Sequence, residues 1–448
     1  MDAQAGFYRL LRLPGIEVMT SALKIWHPFT QSHVDPEPLR IVRASGVYLY
    51  TDDGRKVLDA ISSWWVNLHG HCHPKISAAV AEQAQVLDHV LLAGFRHPNV
   101  EAVAAKLRKF LPPALEHIFF SDNGSTAVEV ALKLAVQYWQ NRGQNNKKEI
   151  VALEHAYHGD TVGAMSVSAD SGFTQPFDGL RFPVHRVHSA YCHRCPVGKT
   201  RATCSIECAD ALAKLLEDRG DRIAAVIVEP LLQGAGGMIV HPVEFLQRIR
   251  ALTSEHDVLL IADEVLTGFG RCGVMFACEL ANVVPDFMCL SKGITGGFLP
   301  LGATVCTGAI QQEFMGEGKA FLHGHSYSGN PLACAAAVAN LEIFETEDVF
   351  VRIKAIAARH EMHLARLRNS PAVDDTRQIG AVAAIELKAN DPGYFSQLKP
   401  RLYRFFLDKG VLLRPLGNVI YVMPPYVITA EELDWIYSVI EEGVATIL

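Results

Sequence analysis

Between about residues 115 and 310, short apolar runs alternate with longer amphipathic stretches, and this alternation leaves the chain few architectures to choose from. Brief apolar runs bounded by polar or Gly-rich turns read as strands buried on both faces, and interleaved helices make such a sheet mostly parallel. Five strands are predicted on this basis: Ile118–Phe120, Ile150–Leu153, Ala224–Val228, Val258–Ala262 and Phe287–Leu290. The clearest helix follows the first of them, with Val128, Ala131, Leu132, Ala135, Val136 and Trp139 recurring at helical spacing. Thr126 and Glu129 supply an S/T-x-x-E pattern at its start, which predicts a capping box there. From about residue 350 the character changes to a charged helical stretch, a strand pair near Val382–Leu387 and Val419–Val422, and a closing helix after Thr429. At 448 residues the chain exceeds what one hydrophobic core usually serves, so a large α/β unit with a second, smaller domain is expected.

The net charge of −7, with no Lys/Arg cluster interleaved with aromatics, argues against a nucleic-acid partner. The longest apolar runs are strand-length, too short for a bilayer, and the N-terminus lacks the apolar segment of a secretory signal. A cytoplasmic protein is therefore expected, with residues 1–18 preceding the first strongly patterned segment. In that compartment the ten cysteines are expected to be reduced thiols. Four of them, Cys192, Cys195, Cys204 and Cys208, read C-x2-C, a gap of eight, then C-x3-C. Such spacing can hold zinc, but both gaps are irregular for a zinc ribbon, and the expectation is four thiols in a surface insertion with no metal.

Three short segments carry chemistry. Ser121-Asp122-Asn123-Gly124-Ser125-Thr126 lies between a strand and a helix, so Gly124 and Ser125 offer free backbone N–H groups at a positive helix terminus, an arrangement suited to phosphate. The strand Leu259-Leu260-Ile261-Ala262 delivers Asp263 and Glu264 at its C-terminal end, where α/β sheets place their ligands. A carboxylate there can keep a pyridinium nitrogen protonated, or serve as a capping or metal-binding acid. Ser291-Lys292-Gly293 ends the next strand-like run, 29 residues after Asp263, so both side chains can reach one sheet edge. A desolvated lysine with a lowered pKa can attack an aldehyde and later move a proton, whereas a solvated one does neither.

In this order the three segments resemble the class III (ω-) aminotransferases among the fold-type I pyridoxal-phosphate (PLP) enzymes, from about Trp26 to the end of the chain. The resemblance implies PLP as cofactor, Lys292 as the lysine that holds it covalently, Asp263 on the ring nitrogen, and Gly124 and Ser125 on the phosphate. It also implies a large domain with a mostly parallel sheet over residues 76–345. A smaller α+β domain then covers 346–448, and the segment 1–75 joins the small domain and walls the active site. Trp26-His27-Pro28-Phe29-Thr30, Ser62-Ser63-Trp64-Trp65, His155-Ala156-Tyr157-His158-Gly159-Asp160, Gln233-Gly234-Ala235-Gly236-Gly237 and Leu413-Arg414-Pro415-Leu416-Gly417 narrow it further. Together they are similar to the branch of the family that aminates 8-amino-7-oxononanoate in biotin biosynthesis. On that reading Tyr157 stacks on the coenzyme ring, Trp64 walls the substrate, and Arg414 clamps the substrate's distal carboxylate through its planar fork. Asp160 and Glu229 match positions near ring and substrate. Gly324 and Ser326, within His323-Gly324-His325-Ser326-Tyr327-Ser328-Gly329-Asn330, match residues that complete the neighbouring subunit's phosphate site, which implies a homodimer.

Two departures from the family pattern bear on the amino donor. Phe29 stands where tyrosine is usual, removing a hydroxyl associated with S-adenosylmethionine recognition, and the segment 323–330 looks like the lysine-using branch. Either S-adenosylmethionine or lysine is therefore expected as donor. An ω-amino acid or diamine:pyruvate aminotransferase of the same class is the alternative.

Overall fold

All five predicted runs become strands of a single seven-stranded sheet, in the order Leu115–Ser121, Gly302–Thr307, Phe287–Leu290, Leu259–Asp263, Ile223–Val228, Glu149–Leu153, His185–Val187. The central strands are buried along their whole length, which is why their sequences run apolar instead of alternating. Six strands run parallel, and Gly302–Thr307 runs antiparallel to both of its neighbours. That strand and the short edge strand His185–Val187 are additions to the predicted set. Their sequences, Gly-Ala-Thr-Val-Cys-Thr and His-Arg-Val, have no continuous apolar run, so only their place in the ladder makes them strands.

This computed structural model describes residues 25–30 and 37–448. The chain divides into two units, Met1–Arg40 and Ile41–Leu448. In the first, Pro28 and Phe29 form a turn in which Thr30 Oγ1 donates to the His27 carbonyl at 2.7 Å; residues 1–18 lie outside the described residues. Among the described residues no helix is long and apolar enough to cross a membrane.

The 18-residue helix Gly124–Asn141 lies on the sheet with Val128, Ala131, Leu132, Ala135 and Trp139 buried, as its periodicity predicts. Trp139 Nε1 donates to the Ala224 carbonyl at 2.9 Å, satisfying the indole within the core. The cap differs from the prediction. Asn123 is the N-cap, its side chain accepting from Thr126 N while Thr126 Oγ1 accepts from Asn123 N, so the capping box lies one turn earlier than Thr126–Glu129. Glu129 turns away because better donors are available: Thr161 Oγ1 at 2.6 Å and Gly163 N at 2.7 Å.

Three smaller sheets accompany the large one among the described residues, one of them the short pair Leu232–Gln233 and Ile239–Val240. Val373–Ile379, Val382–Leu387 and Val419–Val422 form an antiparallel sheet, which contains the predicted strand pair and is covered by the helix Val349–Leu367, against which the helix Ala430–Ile447 packs. The closing helix begins at the expected Thr429 with a capping box to Glu432. Ile41–Ser45, Tyr48–Thr51 and Lys56–Asp59 form the remaining sheet with Val411–Leu412, so segments from opposite ends of this unit share one ladder.

Candidate active site

Parallel strands carry the chemistry to one edge. Ser121, Leu153, Val228, Asp263 and Leu290 are the C-terminal residues of five strands of the large sheet. The chain that follows each contributes to a cavity of about 420 Å³: Asp122 to Ser125, Tyr157 to Gly159, Glu229, Val265 and Leu266, and Ser291 with Lys292. Because Gly302–Thr307 runs the other way, its N-terminal approach, Gly297 to Leu301, arrives at the same edge and closes the cavity. Gly302 sits close to the phosphate-type turn, where an added Cβ would lie 2.4 Å from the Asn123 carbonyl oxygen.

Lys292 and Asp263, predicted to share an edge, both line this cavity. Burial pulls the Lys292 amine down to about 8, against the upward pull of Asp263 and Glu229. No carboxylate of the described residues lies within ion-pair distance of it, and its ammonium lies over the Trp65 ring, with Nζ 4.7 Å from the centroid. Its backbone occupies the left-handed region at φ 43°, an uncommon conformation for a residue with a side chain. Glu229 follows the neighbouring strand. Burial, together with Asp263, pushes its carboxyl up to about 7, while His158 and the backbone amides of Tyr157 and Gly234 pull the other way. The site thus holds an amine and an acid whose ordinary values are drawn toward neutrality, the pattern expected of groups that exchange protons at pH 7.

The other predicted residues fall into two groups. Gly124 and Ser125 open the long helix on the cavity wall, and an added Cβ on Gly124 would meet Val265 at 2.6 Å. Tyr157 also lines the cavity, its hydroxyl donating to Asp160 Oδ2 at 3.1 Å; burial, with Asp160 adding to it, raises its pKa well above the usual phenol value. Trp64, Arg414, Gly324 and Ser326 are outside the lining of this cavity. Trp64 instead lies under the Arg414 guanidinium, whose carbon is 4.7 Å from the indole centroid. Trp65 is the tryptophan on the cavity wall, held by a 3.0 Å bond from its Nε1 to the Tyr421 hydroxyl. Asp59 shapes that corner by accepting from the Ile61 and Ser63 amides and meeting His71 Nε2 at 2.8 Å. Two adjacent tryptophans carry no local signal for which faces the cavity; the backbone through them turns sharply, with positive φ at Ser62, Ser63 and Trp65. Gly324 and Ser326 are exposed, and the adjacent His325 Nε2 lies 3.6 Å from Asp122 Oδ1 beside the turn.

A residue without an assigned role in the sequence reading also enters the site. His158 Nδ1 meets Asp263 Oδ2 at 2.6 Å, with both side chains buried. The four clustered cysteines are free thiols, from exposed Cys192 to buried Cys208. Among the described residues, the metal-ligand atoms that converge belong to His193, Asp374 and Glu386; His193 and Arg194 pair with Asp374, and Arg377 and Tyr191 with Glu386.

The fold and the site together have the form of a transaminase: a lysine and an acid lining one cavity at the C-terminal edge of a mostly parallel sheet, beside the start of a long helix. The aminotransferase class-III family matches residues 29–444, and the chain belongs to it. It is 46% identical to the adenosylmethionine-8-amino-7-oxononanoate aminotransferase of Synechococcus elongatus, over 95% of this chain and 99% of that one. The protein of the same name from Geobacter sulfurreducens is 41% identical over 94% and 96%. Among solved structures, the enzyme of that name from Methanocaldococcus jannaschii superposes with a TM-score of 0.87 at 37% identity, covering 93% of this chain and 97% of the other. A PLP-bound amine transaminase from an uncultivated Pseudomonas species gives 0.89 at 33% identity, covering 96% and 100%.

Proposed function

We propose that this protein is a PLP enzyme that transfers an amino group to 8-amino-7-oxononanoate, forming 7,8-diaminononanoate in biotin biosynthesis, with S-adenosylmethionine as donor. The observation that carries the coenzyme is that Lys292 and Asp263 line one cavity together with Gly124 and Ser125. What supports the substrate is identity of 41% and 46%, over nearly full length, to relatives bearing that activity in their names.

The donor set fits the coenzyme group by group. Lys292 offers an amine for its aldehyde, Asp263 an acid for its ring nitrogen, Tyr157 an aromatic face for its ring, and Gly124 and Ser125 N–H groups for its phosphate. Bound there, the coenzyme supplies an electron sink for the substrate carbon that loses a proton. Lys292 Nζ, lowered to about 8, is the base that takes that proton and returns it. Arg414, held over Trp64, is assigned to the distal carboxylate of the nine-carbon substrate, which its planar fork can bind through two parallel hydrogen bonds. Gly324 and Ser326 are assigned to the phosphate site of a neighbouring subunit, so the working unit is a homodimer acting in the cytoplasm. We also divide the chain into a segment 1–75, a large coenzyme-binding domain 76–345 and a small domain 346–448.

The 33% identity to an amine transaminase motivates a second reading, in which a simple amine or ω-amino acid exchanges with pyruvate. One experiment separates the two. The PLP-loaded protein is treated in turn with S-adenosylmethionine, lysine and alanine, and then with 8-amino-7-oxononanoate. Formation of 7,8-diaminononanoate after S-adenosylmethionine is expected. Conversion by alanine alone, with no turnover of the oxononanoate, would sink the proposal; conversion by lysine alone would keep the acceptor and replace the donor.

A further inference from the structure

Two stretches of chain that reach the cavity converge on one buried amide. His69, four positions after Trp65, and the turn Lys292–Thr295 both meet the side chain of Asn340, which is fully buried on the helix Pro331–Thr346. Asn340 Nδ2 donates to the Gly293 carbonyl at 3.0 Å and to the Ile294 carbonyl at 3.1 Å. Carbonyls only accept, so the amide is fixed with its Oδ1 turned toward His69 Nε2, 3.0 Å away. Burial pulls the His69 imidazole down to about 3, so the ring is neutral and its Nε2–H is the donor. One amide therefore spans the segment that carries Trp65 and the turn that carries Lys292, whose Nζ lies over the Trp65 ring.

Packing does not call for a polar group at this place. The other buried residues of that helix from Ala333 to Phe344 are apolar, and a buried amide carries a desolvation cost that a leucine would avoid. His69 Nδ1, buried and without a hydrogen-bond partner among the described residues, adds to the cost. The turn that the amide holds is itself strained. Lys292 has φ 43°, and a residue with a side chain keeps such a conformation only where its surroundings over-determine it. Gly296, at φ 62°, closes the turn so near the amide that an added Cβ would lie 2.9 Å from Asn340 Oδ1. Holding a reactive side chain at one place on the cavity wall is a use that offsets these costs.

We infer that Asn340 is a positioning residue: its amide, oriented by His69, fixes the backbone that follows Lys292 so that the lysine's amine is held beside Trp65 to meet the coenzyme's aldehyde. The inference rests on the PLP reading above. Its test uses coenzyme-free, full-length protein and two readouts: the melting temperature, and the rate at which saturating PLP becomes linked to Lys292. Linkage joins the amine nitrogen to the aldehyde carbon with loss of water. A borohydride quench reduces that C=N bond, adding hydride to carbon and a proton to nitrogen, and peptide mass then counts linked coenzyme apart from coenzyme merely bound. Asn340→Leu keeps the branched shape and removes the donors. Leu341→Ala loses buried packing on the same helix but faces another direction, as adjacent helical residues do. N340L is expected to link PLP about tenfold more slowly than wild type, as loss of two hydrogen bonds to the turn implies. L341A is expected to melt lower than wild type and yet link PLP within about twofold of its rate. If N340L does not fold, Asn340→Asp takes its place, with the same shape and no NH2. N340L linking PLP at the wild-type rate overturns the inference, as does L341A slowing the linkage as much as N340L, which would mark a role in packing. Wild-type protein that takes up no PLP overturns the coenzyme reading and this inference together.

Discussion

Two of the places where this protein buries charge do so on opposite terms. At the small antiparallel sheet, Arg377 donates to Asp375 and Glu386 at 2.7 Å each and to the carbonyls of Met238 and Gly237 at 3.1 and 2.8 Å. Glu386 also accepts from the Tyr191 hydroxyl at 2.8 Å and pairs with Arg194. Burial alone would raise the Glu386 carboxyl, yet its hydrogen bonds to Arg377, Tyr191 and Arg194 hold it below the ordinary value. At the cavity, Lys292 has no carboxylate within ion-pair distance among the described residues, and Glu229 accepts from backbone amides only. Satisfied charges lock a structure together; under-satisfied ones are held for something that arrives later.

The sharpest way to break this contrast is Lys292→Met. Activity is expected to fall by at least roughly 10⁴-fold, since the variant loses both the covalent anchor and the base. The coenzyme-free variant should nonetheless be more stable than coenzyme-free wild type. The folded value of about 8 lies below the unfolded 10.5, so the unfolded chain binds the proton more tightly and wild-type stability rises between those pH values. The gain in K292M is therefore largest below pH 8, on the order of 3 kcal/mol, and fades toward pH 10.5, as melting curves across that range can check. A variant no more stable than wild type at pH 7 would mean that Lys292 is not held at a cost.

Arg377→Met tests the opposite region. Removing one member of a satisfied buried network should cost about 3–5 kcal/mol in urea unfolding, whereas Arg377→Met combined with Glu386→Leu should cost less than the single change, because no acid is then stranded. A smaller effect is expected where a charge meets only the substrate. Arg414→Lys should raise KM for 8-amino-7-oxononanoate about tenfold with little change in kcat, since lysine keeps the charge but loses the fork. An unchanged KM would remove Arg414 from the substrate site. The smallest effect is expected at Cys192→Ser and Cys195→Ser, within about 0.5 kcal/mol of wild type. Stoichiometric zinc in the purified protein, lost together with stability in either variant, would contradict that expectation.

The local signals of the chain were sufficient for the buried central strands and the long helix, though not for Gly302–Thr307 or His185–Val187. Apolar runs marked five strands, the 3.6-residue period marked the helix Gly124–Asn141, and residues at strand ends marked Asp263, Lys292 and the turn at Gly124. Those signals survive because burial of a whole strand and capping of a helix depend on residues only a few positions apart. Even so, the cap moved from Thr126–Glu129 to Asn123–Thr126, because Glu129 found stronger donors more than thirty residues away.

Tertiary structure alone decided which strands neighbour one another, that Gly302–Thr307 runs antiparallel and so brings Phe298 to Leu301 to the cavity, and that Trp65 instead of Trp64 lines it. It also decided that His158 meets Asp263 across 105 positions of sequence. No periodicity encodes such a meeting. Sequence fixes where the chain turns and which side chains it carries there; sheet order then sets which turns share an edge, and with it which groups are left waiting for a partner.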